Sequence, residues 1–500
     1  MSKPKRNRNR VAEEAEPPAS PTGAIQLALF VLALVCYGYF YQAGGWNQNC
    51  RFDLTRALVE NHSFKIDPTH ENTGDKALRD SHYYCEKAPL VSFLGAPAHA
   101  AARLVIGAEA TDRQLNGAAY AATVTAVSLP SALGVVIFFR LIVAMGLGLV
   151  AATWSSVAWS LGTMAFPYST SLYGHQVCAV LLLLSAYLLF GAATNLEKRG
   201  RARMLVAGAA LGLAFAAEYA GALGIGCLLV YALYSLRGKR PLLWLALGAA
   251  ISLVPLLAYH ASAFGSPFSL AYRYSIHRVR HAGFFMGIGG PSPRALYGIL
   301  FSEYRGLFVS APWLLTAAPG FLALLRRERT RAIALTAAGV CGTYVWLNSS
   351  LPDWRAGWGF GPRFIIASLP FWALLAAGCW TPIRRSVGIR RSWLTGGLLA
   401  AVVVSVAMML VATAVGPEVP GTVLMPFREY LAPKFATGLL AINTQSIDSL
   451  RPGTTSAAWN WGQIAGLTGL WSLVPLFGAT LPLFEFLRRR VGWGNRRHGS

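Results

Sequence analysis

A chain of 500 residues that is 54% hydrophobic and only 13% charged, with a mean hydropathy of +0.44, is too apolar for a soluble domain. The formal net charge of +23 would suit nucleic acid, but the Lys and Arg residues fall in short clusters between apolar runs. That is the positive-inside pattern of a polytopic membrane protein, and it excludes a nucleic-acid partner.

In chain order, residues 1–23 form a tail, basic from Lys3 to Arg10 and then acidic and proline-containing, which reads as disordered and cytoplasmic. No small-residue cleavage site follows the first apolar run, so that run is expected to stay as a span. Apolar stretches lie near 24–43, 114–139, 144–165, 172–193, 204–217, 219–236, 241–263, 306–325, 332–347, 364–382, 393–414 and 463–487. A further run, 89–108, would invert the parity of every later segment if it spanned. The clusters at Lys198-Arg199, Arg237/Lys239/Arg240, Arg326-Arg327, Arg384-Arg385 and Arg488-Arg489-Arg490 would then face outward, against the positive-inside bias.

This segment is therefore expected on the outer surface, with Ser92, His99 and Arg103 on one helical stripe and Leu90, Phe93, Leu94, Leu104 and Val105 on another. The alternative is a spanning helix whose polar face is buried against neighbours. The expected fold is all-α and polytopic, with about twelve spans and both termini inside. A membrane domain over 24–487 would carry external loops 45–113, 264–305, 348–363 and 415–460, followed by a basic cytoplasmic tail over 488–500. Long outer loops and short inner turns put recognition on the external face.

Within the first external loop, 51–60 reads as a short amphipathic helix with Asp53, Arg56 and Glu60 on one face. A carboxylate just above the membrane is placed to act as general base toward a hydroxyl. The alternative is a solvated interfacial helix whose acids pair with Arg51 and Arg56. Asp67, Asp75, Lys76, Glu86 and Lys87 add carboxylates and ammonium groups further on. Cys50 and Cys85 flank this loop on the oxidising side and are expected to form a disulfide that clamps Asp53 near Glu86-Lys87. Cys36, Cys178, Cys227, Cys341 and Cys379 fall in or beside apolar spans, where packing is the default.

The loop 264–305 carries Arg273, His277, Arg278, Arg280, His281, Arg294 and Arg305 against one acid, Glu303. Arginine in that number on the outer side calls for an anion, either phosphate or anionic lipid headgroups. Arg363, after a Gly-rich turn at the outer mouth of a span, is placed to reach the same anion. His175 opens another span at the outer face and Glu218 lies in a tight outer turn. Each is a candidate for lining a cavity shared with the first loop, the alternative being a satisfied or solvent-facing side chain. No Cys/His cluster has metal-ligand spacing, and no Gly-rich nucleotide loop follows a strand, which argues against a soluble nucleotide-sugar or ATP site.

Arg51-Phe52 with its following helix, Tyr84-Cys85-Glu86-Lys87-Ala88-Pro89-Leu90, Gly265-Ser266-Pro267-Phe268, Phe301-Ser302-Glu303-Tyr304-Arg305-Gly306-Leu307-Phe308 and Gly361-Pro362-Arg363 give the chain a family likeness. Over nearly its whole length it resembles the integral-membrane GT-C glycosyltransferases, in particular bacterial relatives of protein O-mannosyltransferases and of the lipid A aminoarabinose transferase. The resemblance implies a polyprenyl-phosphate-linked sugar donor used on the outer face of a bacterial inner membrane, a lipid, glycan or protein acceptor, and inversion at the anomeric carbon. It further implies that Lys87, with Arg273, Arg278, Arg305 and Arg363, holds the donor phosphate and that an acid of the first loop activates the acceptor. No cofactor is assured by the resemblance, and a divalent cation is left open. The sequence departs from the family pattern in two places: Gln48-Asn49 replace the usual Asp-Glu pair, and His175 stands where an Asp often opens the later span. Asp53 is then the first choice for the catalytic acid, with Asp75 and Glu86 behind it. A transporter or lipid flippase, or a noncatalytic polymer-assembly scaffold, is the rival reading.

Overall fold

The computed structural model describes residues 21–42, 44–107, 109–194, 200–277, 288–442 and 458–492. The architecture is overwhelmingly helical. Helix α1 (Pro21–Gly38) leads into helices α2 (Trp46–Glu60) and α3 (Leu90–Ile106). The long elements that follow are α4 (Asp112–Ala144), α5 (Gly174–Ala193), α6 (Arg201–Ala217), α7 (Gly221–Ser235), α8 (Lys239–Phe264), α9 (Glu328–Ser350), α10 (Arg363–Arg385), α11 (Gly388–Val415) and α12 (Gly469–Arg490).

Among the described residues, six of these helices, α4, α5, α8, α10, α11 and α12, are long and apolar enough to cross a membrane. The chain is an integral, multi-pass membrane protein. Burial separates the six: the apolar window of α10 is 89% buried and forms the centre, whereas that of α8 is 22% buried and leaves its apolar surface outward.

Several boundaries differ from those expected of the sequence. The stretch expected to span over 144–165 breaks at Gly146 and Gly148, both at positive φ. It resumes as a 13-residue helix, Leu149–Leu161, and a short turn of helix at Ala165–Tyr168. α4 begins earlier than the apolar run, because Thr111 and Gln114 form a reciprocal capping box at its start. The tails shift as well. α1 already begins at Pro21, and α12 runs through Arg490, with Arg488 and Arg489 paired to Glu485 where cations suit the helix C-terminus.

The first loop is a folded unit. α2 begins at Trp46, five residues before the expected start, and its residues from Asn47 to Thr55 are buried, so it is not a solvated interfacial helix. The polar stripe of α3 faces α2 and not water: Ser92 Oγ donates to the Arg51 carbonyl (2.9 Å), and His99 Nε2 lies 2.8 Å from Glu60 Oε1. Burial alone would raise Glu60, but the His99 hydrogen bond and the charges of Arg56 and Arg103 outweigh it and hold the carboxyl below its usual range. The opposite side of α3 leaves Leu104 and Val105 exposed, as the stripe pattern requires.

Strands β1 (Phe40–Tyr41), β2 (Lys76–Arg79), β3 (His82–Cys85) and β4 (Trp459–Asn460) form two small antiparallel sheets. β2 and β3 make a hairpin closed by Asp80 and Ser81, both at positive φ as a two-residue type I′ turn demands. β1 pairs with β4, fastening the exit of α1 to the approach of α12.

Cys50 and Cys85 are joined in a disulfide across 35 residues, linking α2 to the hairpin. Replacing both with serine is expected to lower stability by about 4 kcal/mol, the chain-entropy scale for a loop of this length. Thermal unfolding in detergent of the wild type and the double variant measures this, and equal midpoints would contradict it.

Candidate functional site

The hairpin register decides which first-loop groups meet. Lys76 opposes Cys85, so the preceding Asp75 comes level with Glu86, whose N–H donates to the Asp75 carbonyl (3.3 Å). Thr73 holds this corner: its hydroxyl donates to the Trp46 carbonyl (2.7 Å) and accepts from the Asp75 N–H (3.1 Å). Lys87 then places its ammonium 3.0 Å from Asp75 Oδ1 and 2.9 Å from Glu86 Oε1. All three residues are largely buried, and a buried charge of this kind persists only when it is paired. His277, from the 264–305 loop, approaches to 4.0 Å of Asp75 Oδ1 and has the Trp46 ring beside it.

One ligand atom each from Asp75, Glu86 and His277 lies within 4.8 Å of the other two, a donor set able to take a divalent cation. The Lys87 ammonium already neutralises the same two carboxylates, so a cation held there would have to displace it.

A second group closes around α5. Arg51, fully buried on α2, donates from Nη2 to Glu218 Oε1 (2.8 Å) and from Nη1 to Asn47 Oδ1. His175 Nδ1 lies 3.3 Å from the same Glu218 oxygen. Gly174 is needed at this junction, since a Cβ there would overlap the Ala217 carbonyl. Arg51, Glu218, Lys87 and Arg363 all lie within electrostatic range of His175, so the two groups form one charged cluster.

Arg363 and Glu418 complete it from the far half of the chain. Arg363 Nη1 donates to the Tyr173 hydroxyl (3.3 Å) and the Trp358 carbonyl (3.2 Å), while its Nε is buried with no hydrogen-bond partner among the described residues. Glu418 stands on the turn after α11, which the Gly359 N–H fastens through the Val419 carbonyl (3.0 Å). Its Oε1 accepts from Tyr173 (2.7 Å) and from Gln48 Nε2 (3.2 Å). Burial lifts Glu418 above the ordinary carboxylate range against the opposing pull of Tyr173, Arg363 and Gln48. Burial, with Glu418 next to it, drives the Tyr173 hydroxyl well above its usual value, so it remains a neutral donor.

Beside this cluster runs a groove of about 490 Å³. Val309, Val404, Ala407, Met408 and Val411 give it apolar walls, and Arg305, Phe360 and Gly361 line it toward Arg363. Arg305 is buried and donates from Nε to the Arg355 carbonyl (3.1 Å) and from Nη2 to the Gly357 carbonyl (2.6 Å). Its Nη1 is buried without a hydrogen-bond partner among the described residues.

Of the residues singled out in the sequence, Asp75, Glu86, Lys87, His175, Glu218 and Arg363 come together. Arg273 is exposed, next to a Tyr272 ring that lies 5.9 Å below the Lys87 ammonium. Arg278 lies outside the described residues. Asp53 does not reach the open face of the cluster. It is 1% exposed and accepts a hydrogen bond from Asn72 Nδ2 (3.2 Å), beneath the turn that carries Asp75. The reason is that α2 starts at Trp46 and packs inward, which turns the face bearing Asp53 under the loop. Sequence reasoning missed Glu418, although an acid three residues past a long apolar helix, in a loop with few others, was a usable signal.

No protein-family model matches the sequence, and neither does any curated protein. The fold does have solved counterparts. ArnT from Cupriavidus metallidurans in the apo state superposes with a TM-score of 0.51 at 17% identity, covering 95% of this chain and 76% of that one. The same protein bound to undecaprenyl phosphate gives 0.50 at 16% identity, covering 94% and 75%. The chain has a GT-C-like fold. A weaker likeness is to the Archaeoglobus fulgidus oligosaccharyltransferase in its apo form, with a TM-score of 0.48, 11% identity and coverage of 87% and 61%. In this GT-C-like chain the charged cluster joins the first loop to the start of α5, the turn between α6 and α7, the start of α10 and the turn after α11.

Proposed function

We propose that the protein is a membrane glycosyltransferase that moves a sugar from a polyprenyl-phosphate-linked donor to a lipid, glycan or protein acceptor at the external face of a bacterial inner membrane. About twelve spans with both termini inside is the topology that keeps the basic clusters cytoplasmic. The observation that carries the reading is the junction of groove and cluster. Arg305 lines the apolar groove, and Arg363 has both Arg305 and Asp75 of the cluster within electrostatic range; each of the two arginines keeps a buried guanidinium nitrogen unspent. That combination suits a ligand with a hydrocarbon tail and a phosphate head. The likeness to ArnT, a protein solved with undecaprenyl phosphate bound, supports it.

In this reading the tail lies along Val309, Val404, Met408 and Val411, and the phosphate is held by Lys87, Arg363 and Arg305. Asp75 and Glu86 orient the Lys87 ammonium. These fixed cations stabilise the negative charge that grows on phosphate as the bond to the anomeric carbon breaks, and they act in a site with little water. A transporter would be expected to carry its ionisable groups on broken helices at mid-membrane. Here they sit on the first loop and at helix ends and turns, which favours chemistry at the surface.

The test uses purified protein in liposomes with a panel of polyprenyl-phosphate hexoses and pentoses, reading release of free polyprenyl phosphate, the product common to every acceptor. Arg363→Ala is expected to weaken undecaprenyl phosphate binding by at least about tenfold, the scale of one charge-assisted hydrogen-bonded contact. A wild-type protein that neither binds undecaprenyl phosphate nor releases it from any donor would sink the reading.

A further inference from the structure

Four carboxylates reach the charged cluster, and they differ in what holds them. Asp75 and Glu86 both contact the Lys87 ammonium, at 3.0 and 2.9 Å. Glu218 is bound by the Arg51 guanidinium at 2.8 Å and has His175 at 3.3 Å. In each of these three a cation already occupies a carboxylate oxygen that an acceptor hydroxyl would need. Glu418 is the exception. Its direct partners are neutral, the Tyr173 hydroxyl and the Gln48 amide, and both use Oε1. Oε2 has no hydrogen-bond partner among the described residues, and the side chain is only partly buried. The seat is specific: the carboxylate lies against Gly45, where a Cβ would overlap it.

We infer that Glu418 is the general base that takes the proton of the acceptor hydroxyl, an inference that rests on the glycosyl-transfer reading above. The acceptor O–H proton passes to Glu418 Oε2 as the acceptor oxygen forms its bond to the anomeric carbon. The bond from that carbon to the phosphate oxygen breaks, and its electron pair leaves with polyprenyl phosphate, whose added negative charge falls to Lys87 and Arg363. Tyr173 and Gln48 fix the carboxylate, and the charges of Arg363 and Asp75 lie within electrostatic range of it. Its raised proton affinity suits the task, because a base works best when its pKa approaches the working pH. The Gln48 contact brings this acid from the end of α11 to the start of α2, so the first loop need not supply the base itself.

The experiment compares wild type, Glu418→Gln and Glu418→Asp in liposomes, reading polyprenyl phosphate release across pH and, separately, undecaprenyl phosphate binding and the thermal midpoint. Glu418→Gln is expected to cut turnover by about 10²–10⁴-fold, the usual contribution of a positioned base, while binding stays within about twofold. The wild-type acid limb is expected above the ordinary carboxylate range, to vanish in Glu418→Gln and to move in Glu418→Asp. Turnover of Glu418→Gln within about threefold of wild type, or an unchanged acid limb, overturns the inference. So does a parallel loss of binding and thermal midpoint, which would make the residue structural. A wild-type protein inactive on every donor removes the glycosyl-transfer reading itself, a result distinct from an active wild type with an unimpaired Glu418→Gln.

Discussion

Lys87→Met is expected to weaken undecaprenyl phosphate binding by about two orders of magnitude, because truncating one partner of a buried, hydrogen-bonded charge costs at least about 2–5 kcal/mol. The size follows from a double loss. The ammonium is the cation that Asp75 and Glu86 jointly orient, and without it two buried carboxylates face an incoming anion with nothing between them. Methionine keeps the length and apolar bulk of the side chain, so packing against the Tyr272 ring is retained while the charge goes. Arginine is not expected to substitute, since a planar fork cannot occupy the position of a compact ammonium held between two acids. Titration of the purified variant with undecaprenyl phosphate measures this, and near-normal affinity would move the phosphate to Arg305 and the groove mouth.

The second large effect concerns stability. Arg51→Met and Glu218→Gln are each expected to cost about 3–5 kcal/mol, because each strands the other member of a buried ion pair. Combining them is expected to recover much of that loss, as removing both charges leaves no orphan. The pair ties α2 to the turn after α6, and Arg51 also holds Asn47 and, through its carbonyl, Ser92 of α3. Breaking it should loosen the whole first loop together with His175. Thermal midpoints of the two single variants and the double variant form the cycle that checks this, and strict additivity would show that the pair is not coupled.

The groups that matter were only partly legible in the sequence. Glu86-Lys87, Arg363, His175 and Glu218 could be read because charge beside apolar spans is rare and each stands out singly. For Asp53, helical periodicity assigned a face but not what covers it. The face bearing Asp53 and Glu60 looked solvent-directed, yet the 70–75 turn lies over Asp53 and α3 lies over Glu60. Glu418 was passed over because nothing local marks it. Its meaning comes from Tyr173 and Gln48, which lie 245 and 370 residues away along the chain.

Composition and charge spacing by themselves determined that this is a multi-pass membrane protein and singled out the long first loop and the helix ends as the places where charge gathers. Those features depend on transfer energies that each segment carries alone. Tertiary structure decided which charges are neighbours: that Lys87 lies between Asp75 and Glu86, that Arg51 reaches Glu218, and that Glu418 arrives beside Gln48. The cause is that a buried charge must find its counter-ion wherever the fold brings one, and in a bundle of helices that partner is most often distant in sequence.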